Sequence, residues 1–123
     1  MLPGNAQIQR DDELLAKAAM RAISRLRLSQ TDLSEIIGVS KSVVSGMANG
    51  RGLPSSPKAR ELVVLFLRVY RSLDAIVGGD DEVAAQWFKN ANTALAGTPV
   101  QLVKTVAGLT TVLTYLDARR ALV

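Results

Sequence analysis

Three groups of side chains carry whatever chemistry this sequence has. The first is Gln30, Ser40, Lys41, Ser42, Ser45, Asn49 and Arg51, small polar and basic residues spaced along two short helical segments. Hydroxyls, amides and fixed positive charge, presented on one helix and at helix N-termini, are the donors that meet phosphate oxygens and base edges of duplex DNA. The second is the run Arg119-Arg120-Ala121-Leu122-Val123, two guanidiniums followed by apolar residues. Apolar residues at a helix end fray into water unless a partner buries them, and arginines pair well with carboxylates or phosphates. The third is Asp80-Asp81-Glu82. Adjacent acids at a helix start serve capping and the helix dipole, not catalysis.

The chain has no cysteine and no histidine among its 123 residues. That removes disulfides, thiol nucleophiles, zinc sites of the usual kind and the commonest general base. With no phosphate-binding glycine loop and no metal-ligand cluster, the sequence predicts a protein that is not an enzyme and takes no cofactor. Residues 1–59 hold eight basic and five acidic side chains, and residues 60–123 hold seven and six. Most of the +4 formal charge therefore sits in the N-terminal half, where the polar set lies.

The elements that would position these residues are helical throughout. Hydrophobic residues make up 48% of the chain and aromatics only 4%, so Leu, Val, Ile and Ala must fill the core. No run alternates with period two, and the expected fold class is all-α with about seven helices. The longest apolar stretch, Leu62–Leu67, is stopped by Arg68, far short of the roughly 20 residues a membrane helix needs. No basic-then-apolar leader pattern opens the chain, and a cytoplasmic protein with no membrane partner is expected.

Residues 1–10, with Pro3 and Gly4, read as a loose leader, and Asp11, Asp12 and Glu13 as the start of a first helix. Leu14, Leu15, Ala18, Ala22, Ile23 and Leu26 would form its apolar face. Ser29 with Asp32 forms a capping box, Leu28 with Leu33 a hydrophobic staple, and Gly38 a C-cap. Ser40 then starts a third helix that ends at Asn49-Gly50. Residues 51–57 are a linker, and Ser56-Pro57 start a long fourth helix that ends at Gly78-Gly79. Because Leu62–Leu67 is apolar nearly all round, that helix belongs at the centre of the protein or in a subunit contact. Asp80 caps a fifth helix bearing Val83, Ala84, Trp87 and Phe88, with Trp87 expected in the core. Asn92 caps or turns, Thr98-Pro99-Val100-Gln101 starts a short helix by a capping box, Gly108 breaks it, and a last helix follows.

The segment LSQTDLSEIIGVSKSVVSGMANG, residues 28–50, resembles the helix-turn-helix of the Xre and phage-repressor class. Gly38 supplies the positive φ of the turn, and Ile36, Ile37, Val39 and Val44 lock the helices together. The recognition helix would aim Lys41, Ser42 and Ser45 at base edges, while Gln30 and Arg51 hold the backbone. Two departures mark it. Gly46 weakens the recognition helix by about 1 kcal/mol relative to Ala. The base-facing side is mostly serine, with only Asn49 able to offer a bidentate amide. Weak binding by one copy, with specificity from several copies in an oligomer, follows.

From about residue 83 the chain resembles the toxin-binding domain of the Xre/MbcA/ParS antitoxin family. The matching residues are Trp87, then Asn92, Leu95 and Gly97, then Pro99, Leu102, Thr105 and Gly108, then Val112 and Leu116. With the helix-turn-helix, the resemblance covers most of residues 12–123. It implies a DNA-binding domain at 11–56, a central helix at 57–79 that links or dimerises, and a toxin-binding domain at 80–123. It further implies a RES-type, NAD⁺-consuming toxin as partner, with the C-terminal residues 119–123 covering the toxin's pocket. The operator DNA of its own operon, and homo- and hetero-oligomers, complete the implied partners. Two other readings exist. One is a free-standing repressor whose C-terminal half dimerises; the other is a helical adaptor with no salt-sensitive DNA binding.

Overall fold

A computed structural model describes residues 3–122, with side-chain surroundings from Ala6 onward. Seven helices run through these residues: α1 (Pro3–Arg25), α2 (Gln30–Ile37), α3 (Lys41–Ala48), α4 (Pro57–Ile76), α5 (Asp81–Lys89), α6 (Pro99–Leu102) and α7 (Val106–Arg120). The expected all-α class is what is found, with one isolated bridge between Asn92 and Gly97 as the sole extended pairing among the described residues.

α4 is the hub. It packs on α1 and α2 on one side and on α5 and α7 on the other, and its contact with α7 is the most extensive in the molecule. Leu62, Val63, Phe66, Val69 and Leu73 are buried, while Val64, Leu65 and Leu67 of the apolar run are only half-buried. One cluster of buried residues extends from Ala16 in α1 through Leu33 and Val44 to Val112 and Leu116 in α7. Both halves of the chain therefore share a single core.

The local start and stop signals act as read. The Ser29 hydroxyl accepts from the Asp32 backbone N–H at 3.0 Å, and the Asp32 carboxylate accepts from the Ser29 backbone N–H at 3.0 Å. Gly38 closes α2 with φ 70° and ψ 38°, a left-handed conformation that glycine adopts without a Cβ penalty. Ser40 caps α3 and Ser56 caps α4, with Pro57 in its first turn.

Several expectations are corrected. Residues 3–10 are not a loose leader: they form the first two turns of α1. Ala and Gln carry the helix through them, and the Gln7 amide donates to Asp11 at 2.9 Å one turn on. Asp11, Asp12 and Glu13 consequently sit within the helix, where Asp12 pairs with Arg60 of α4 at 2.9 Å. The buried face of α1 is Ala16, Ala19, Ala22 and Ile23, small residues that allow close helix packing, while Leu14 is 64% exposed. Val83 also faces out, at 46% exposure. Thr98 stands at the N-cap of α6 without a side-chain cap bond, so the expected capping box is not formed.

Gly108 does not break a helix. α6 ends at Leu102, Thr105 caps α7, and the Thr105 hydroxyl accepts from the Gly108 backbone N–H at 3.0 Å. Gly108 lies in the first turn of α7, where a Cβ would overlap the Leu102 carbonyl. The requirement is close backbone approach, and only glycine meets it.

Candidate nucleic-acid interface and partner-binding surface

α3 presents a single polar face. Lys41, Ser42, Ser45 and Asn49 are all exposed, and the spacing i, i+1, i+4, i+8 places them on one side of the helix. Val44 and Met47 on the opposite side are buried against the core. Gln30 is exposed at the first position of α2. Ser40 is exposed at the α3 N-cap, where its hydroxyl accepts from the Val43 N–H at 3.2 Å and keeps its own proton to donate.

Arg51 is exposed beyond α3 but is held close to it. Its backbone N–H donates to the Gly46 carbonyl at 2.9 Å. Its side chain crosses Gly46, where an added Cβ would come 3.0 Å from the arginine Cδ. Gly46 thus makes room for the arginine, a reason for glycine in this helix that the sequence did not reveal. All seven residues of the first polar group lie in exposed positions on α2, α3 and the segment just beyond.

At the other end, Arg119, Arg120, Ala121 and Leu122 are exposed, Leu122 at 86%. Val123 lies outside the described residues. Arg119 is not free to wander: its guanidinium carbon sits 5.3 Å from the centre of the Tyr115 ring. Tyr115 stacks on Trp87 of α5 with centroids 6.4 Å apart and planes at 23°. Trp87 also meets Phe88 edge-on at 5.9 Å. The tryptophan is half-buried rather than interior, and it is the base of an Arg119–Tyr115–Trp87 stack that runs to the surface. Nothing in the sequence points to Tyr115, because one aromatic at one helical position has no periodic signature.

The two ends are joined by ionic contacts as well as by the core. Lys104, between α6 and α7, donates to Asp32 of α2 at 2.9 Å and lies 3.7 Å from Glu35. Partial burial by itself would raise the Asp32 pKa. The Ser29 backbone N–H, the Lys104 ammonium and the Ser29 hydroxyl outweigh it, and the carboxyl is held below its ordinary value. No group of metal-ligating side chains gathers among the described residues. No described helix is long and apolar enough to cross a membrane.

An exposed recognition helix after a glycine turn, followed by a helical unit with an exposed arginine–aromatic end, defines a helix-turn-helix protein with an added partner-binding part. Residues 9–68 match the antitoxin Xre-like helix-turn-helix domain. Residues 72–121 match the antitoxin Xre/MbcA/ParS C-terminal toxin-binding domain. The chain belongs to the Xre/MbcA/ParS family of antitoxins. Its fold is similar to a chain in the crystal structure of the M. tuberculosis MbcT–MbcA toxin–antitoxin complex. The two share 24% identity, with a TM-score of 0.66 over 89% of this chain and 96% of that one. A search of curated proteins returns no match.

Proposed function

We propose that this antitoxin neutralises a RES-type, NAD⁺-degrading toxin in the cytoplasm and represses its own promoter. The observation that carries the reading is the placement of two exposed surfaces on one shared core, the polar face of α3 and the arginine–aromatic end of α7. Lys41, Ser42 and Ser45 read the major groove, with Asn49 beside them. Gln30, Ser40 and Arg51 hold the phosphate backbone. The DNA-binding part is residues 11–56, the toxin-binding part residues 80–123, and the segment 57–79 links them. Arg119, Arg120, Ala121, Leu122 and Val123 dock on the toxin and cover its NAD⁺ pocket.

Serine-rich base contacts give little discrimination per copy, so operator binding uses self-associated copies, alone or with toxin. The test is cellular NAD⁺ after induction of the toxin encoded beside this gene. Full-length protein is expected to preserve NAD⁺, and a chain lacking residues 119–123 to fail. Equal protection by both would remove the C-terminal residues from the mechanism. No protection by well-expressed full-length protein would overturn the antitoxin reading in favour of a free-standing repressor.

A further inference from the structure

A second basic site lies away from the α3 face, in a cleft of about 260 Å³ between α4 and α7. Its walls are Arg68, Arg71 and Ser72 of α4 and Asp117 and Arg120 of α7. Three guanidiniums thus face one carboxylate. The Ser72 hydroxyl, on a residue only 2% exposed, donates to the Asp117 carboxylate at 2.7 Å. Arg68 lies 3.6 Å from the other Asp117 oxygen. Among the described residues, Arg71 and Arg120 meet no carboxylate within ion-pair distance.

Three arginines at one cleft repel each other unless anions balance them, and one anion is already built in. What remains is an excess of positive charge on planar donors whose fork matches an oxyanion. Asp117 is held in place by a buried hydroxyl, so it stays in the cleft and limits how much negative charge a ligand can add. A carboxylate brings one negative charge beside the fixed Asp117 where a phosphate dianion brings two, so it meets less repulsion there while its two oxygens still match a guanidinium fork.

We propose that this cleft is an oxyanion-binding site that receives an Asp or Glu side chain of the toxin. This rests on the antitoxin reading for the identity of the partner. It adds Arg68 and Arg71, on α4, to a contact otherwise assigned to the end of α7. The cleft spans the two family matches: Arg68 closes the first, Ser72 opens the second, and Arg71 lies between them.

The test has two arms, both on the full chain. In the first, arginine Nε–H resonances are followed by NMR in sodium acetate, sodium phosphate and sodium chloride at matched ionic strength. Saturable shifts of Arg71 and Arg120 in acetate beyond those in chloride are expected, and Arg71→Gln should abolish them. Shifts no different from chloride would overturn the site, and a response to phosphate alone would overturn the carboxylate assignment. In the second arm, Arg71→Gln and Arg71→Lys are titrated against the toxin encoded beside the gene. Arg71 is exposed, so both variants should fold, which circular dichroism checks. Toxin affinity should fall roughly tenfold for Arg71→Gln, with Arg71→Lys in between because it keeps the charge and loses the fork. Wild-type affinity in Arg71→Gln would overturn docking of the toxin here. If the wild-type chain itself fails to bind the toxin, the antitoxin reading falls and docking here falls with it, while the ion titration still decides whether the cleft holds an oxyanion.

Discussion

The Lys104 ammonium sits 2.9 Å from the Asp32 carboxylate across 72 residues of chain, and that carboxylate is also the capping group of α2. One side chain of the toxin-binding half therefore bears on the first turn of the helix-turn-helix. Lys104 is only 14% exposed, so water screens the pair poorly compared with a surface bridge.

Replacing Lys104 with Met should destabilise the protein by about 1–2 kcal/mol in urea unfolding at neutral pH, because a partly buried carboxylate loses a charged donor. The loss should depend on pH. Asp32 has a folded pKa below its ordinary value of 3.8, so its contribution is fully present above that value. It is lost as pH falls from there through the folded pKa. The stability gap between wild type and Lys104→Met should narrow across that acid window. A gap unchanged by acid would mean that Lys104 acts through packing alone.

Removing one positive charge from the α3 face tests the DNA reading. Lys41→Gln should weaken operator binding in fluorescence anisotropy and relax specificity at one operator position, with little change in the log–log salt slope, because Lys41 reads a base. A slope lowered by about one with unchanged specificity would make Lys41 a phosphate contact instead.

Gly46→Ala should separate stability from binding. A helix-interior Ala is favoured over Gly by about 1 kcal/mol, and the atom in the way is the flexible side chain of Arg51. The variant should unfold at equal or higher urea while binding DNA less tightly, since Arg51 is pushed from its place beside α3. Loss of stability would mean that the arginine cannot yield.

Gly108→Ala should be destabilising by about 1–3 kcal/mol in chemical denaturation, an overpacking effect. The neighbour it meets is the Leu102 carbonyl, backbone that cannot rotate away. Retention of wild-type stability would require α6 and α7 to separate without cost.

The parts of this fold that are legible in the sequence are those fixed by near neighbours. Ser29 and Asp32, Gly38, Ser40 and Ser56-Pro57 mark helix ends through bonds spanning three or four residues, and all act as read. The exposed face of α3 follows from helical spacing alone. What escaped depends on the third dimension. Periodicity says that α1 has an apolar side but not that its alanines, rather than Leu14, meet the core. Gly108 reads as a break because nothing in the sequence says that a carbonyl six residues earlier passes beside it. Lys104 with Asp32, Arg71 with Arg120 and Arg119 with Tyr115 and Trp87 are joined by packing. The first two of these sets span more than forty residues, and no spacing rule reaches that far.

α4 begins within the residues that match the helix-turn-helix domain and ends within those that match the toxin-binding domain. Twenty residues of uninterrupted helix make a rod of about 30 Å. The two halves are thus related like the ends of a camshaft, with relative angle set by residue count. Grafting a different toxin-binding half onto this helix-turn-helix half would have to splice inside α4 and keep its phase, since each residue gained or lost turns one end by about 100° against the other. Insertions of seven residues, close to two full turns, would come nearest to restoring the original orientation, at the cost of lengthening the rod by about 10 Å and parting α4 from α7.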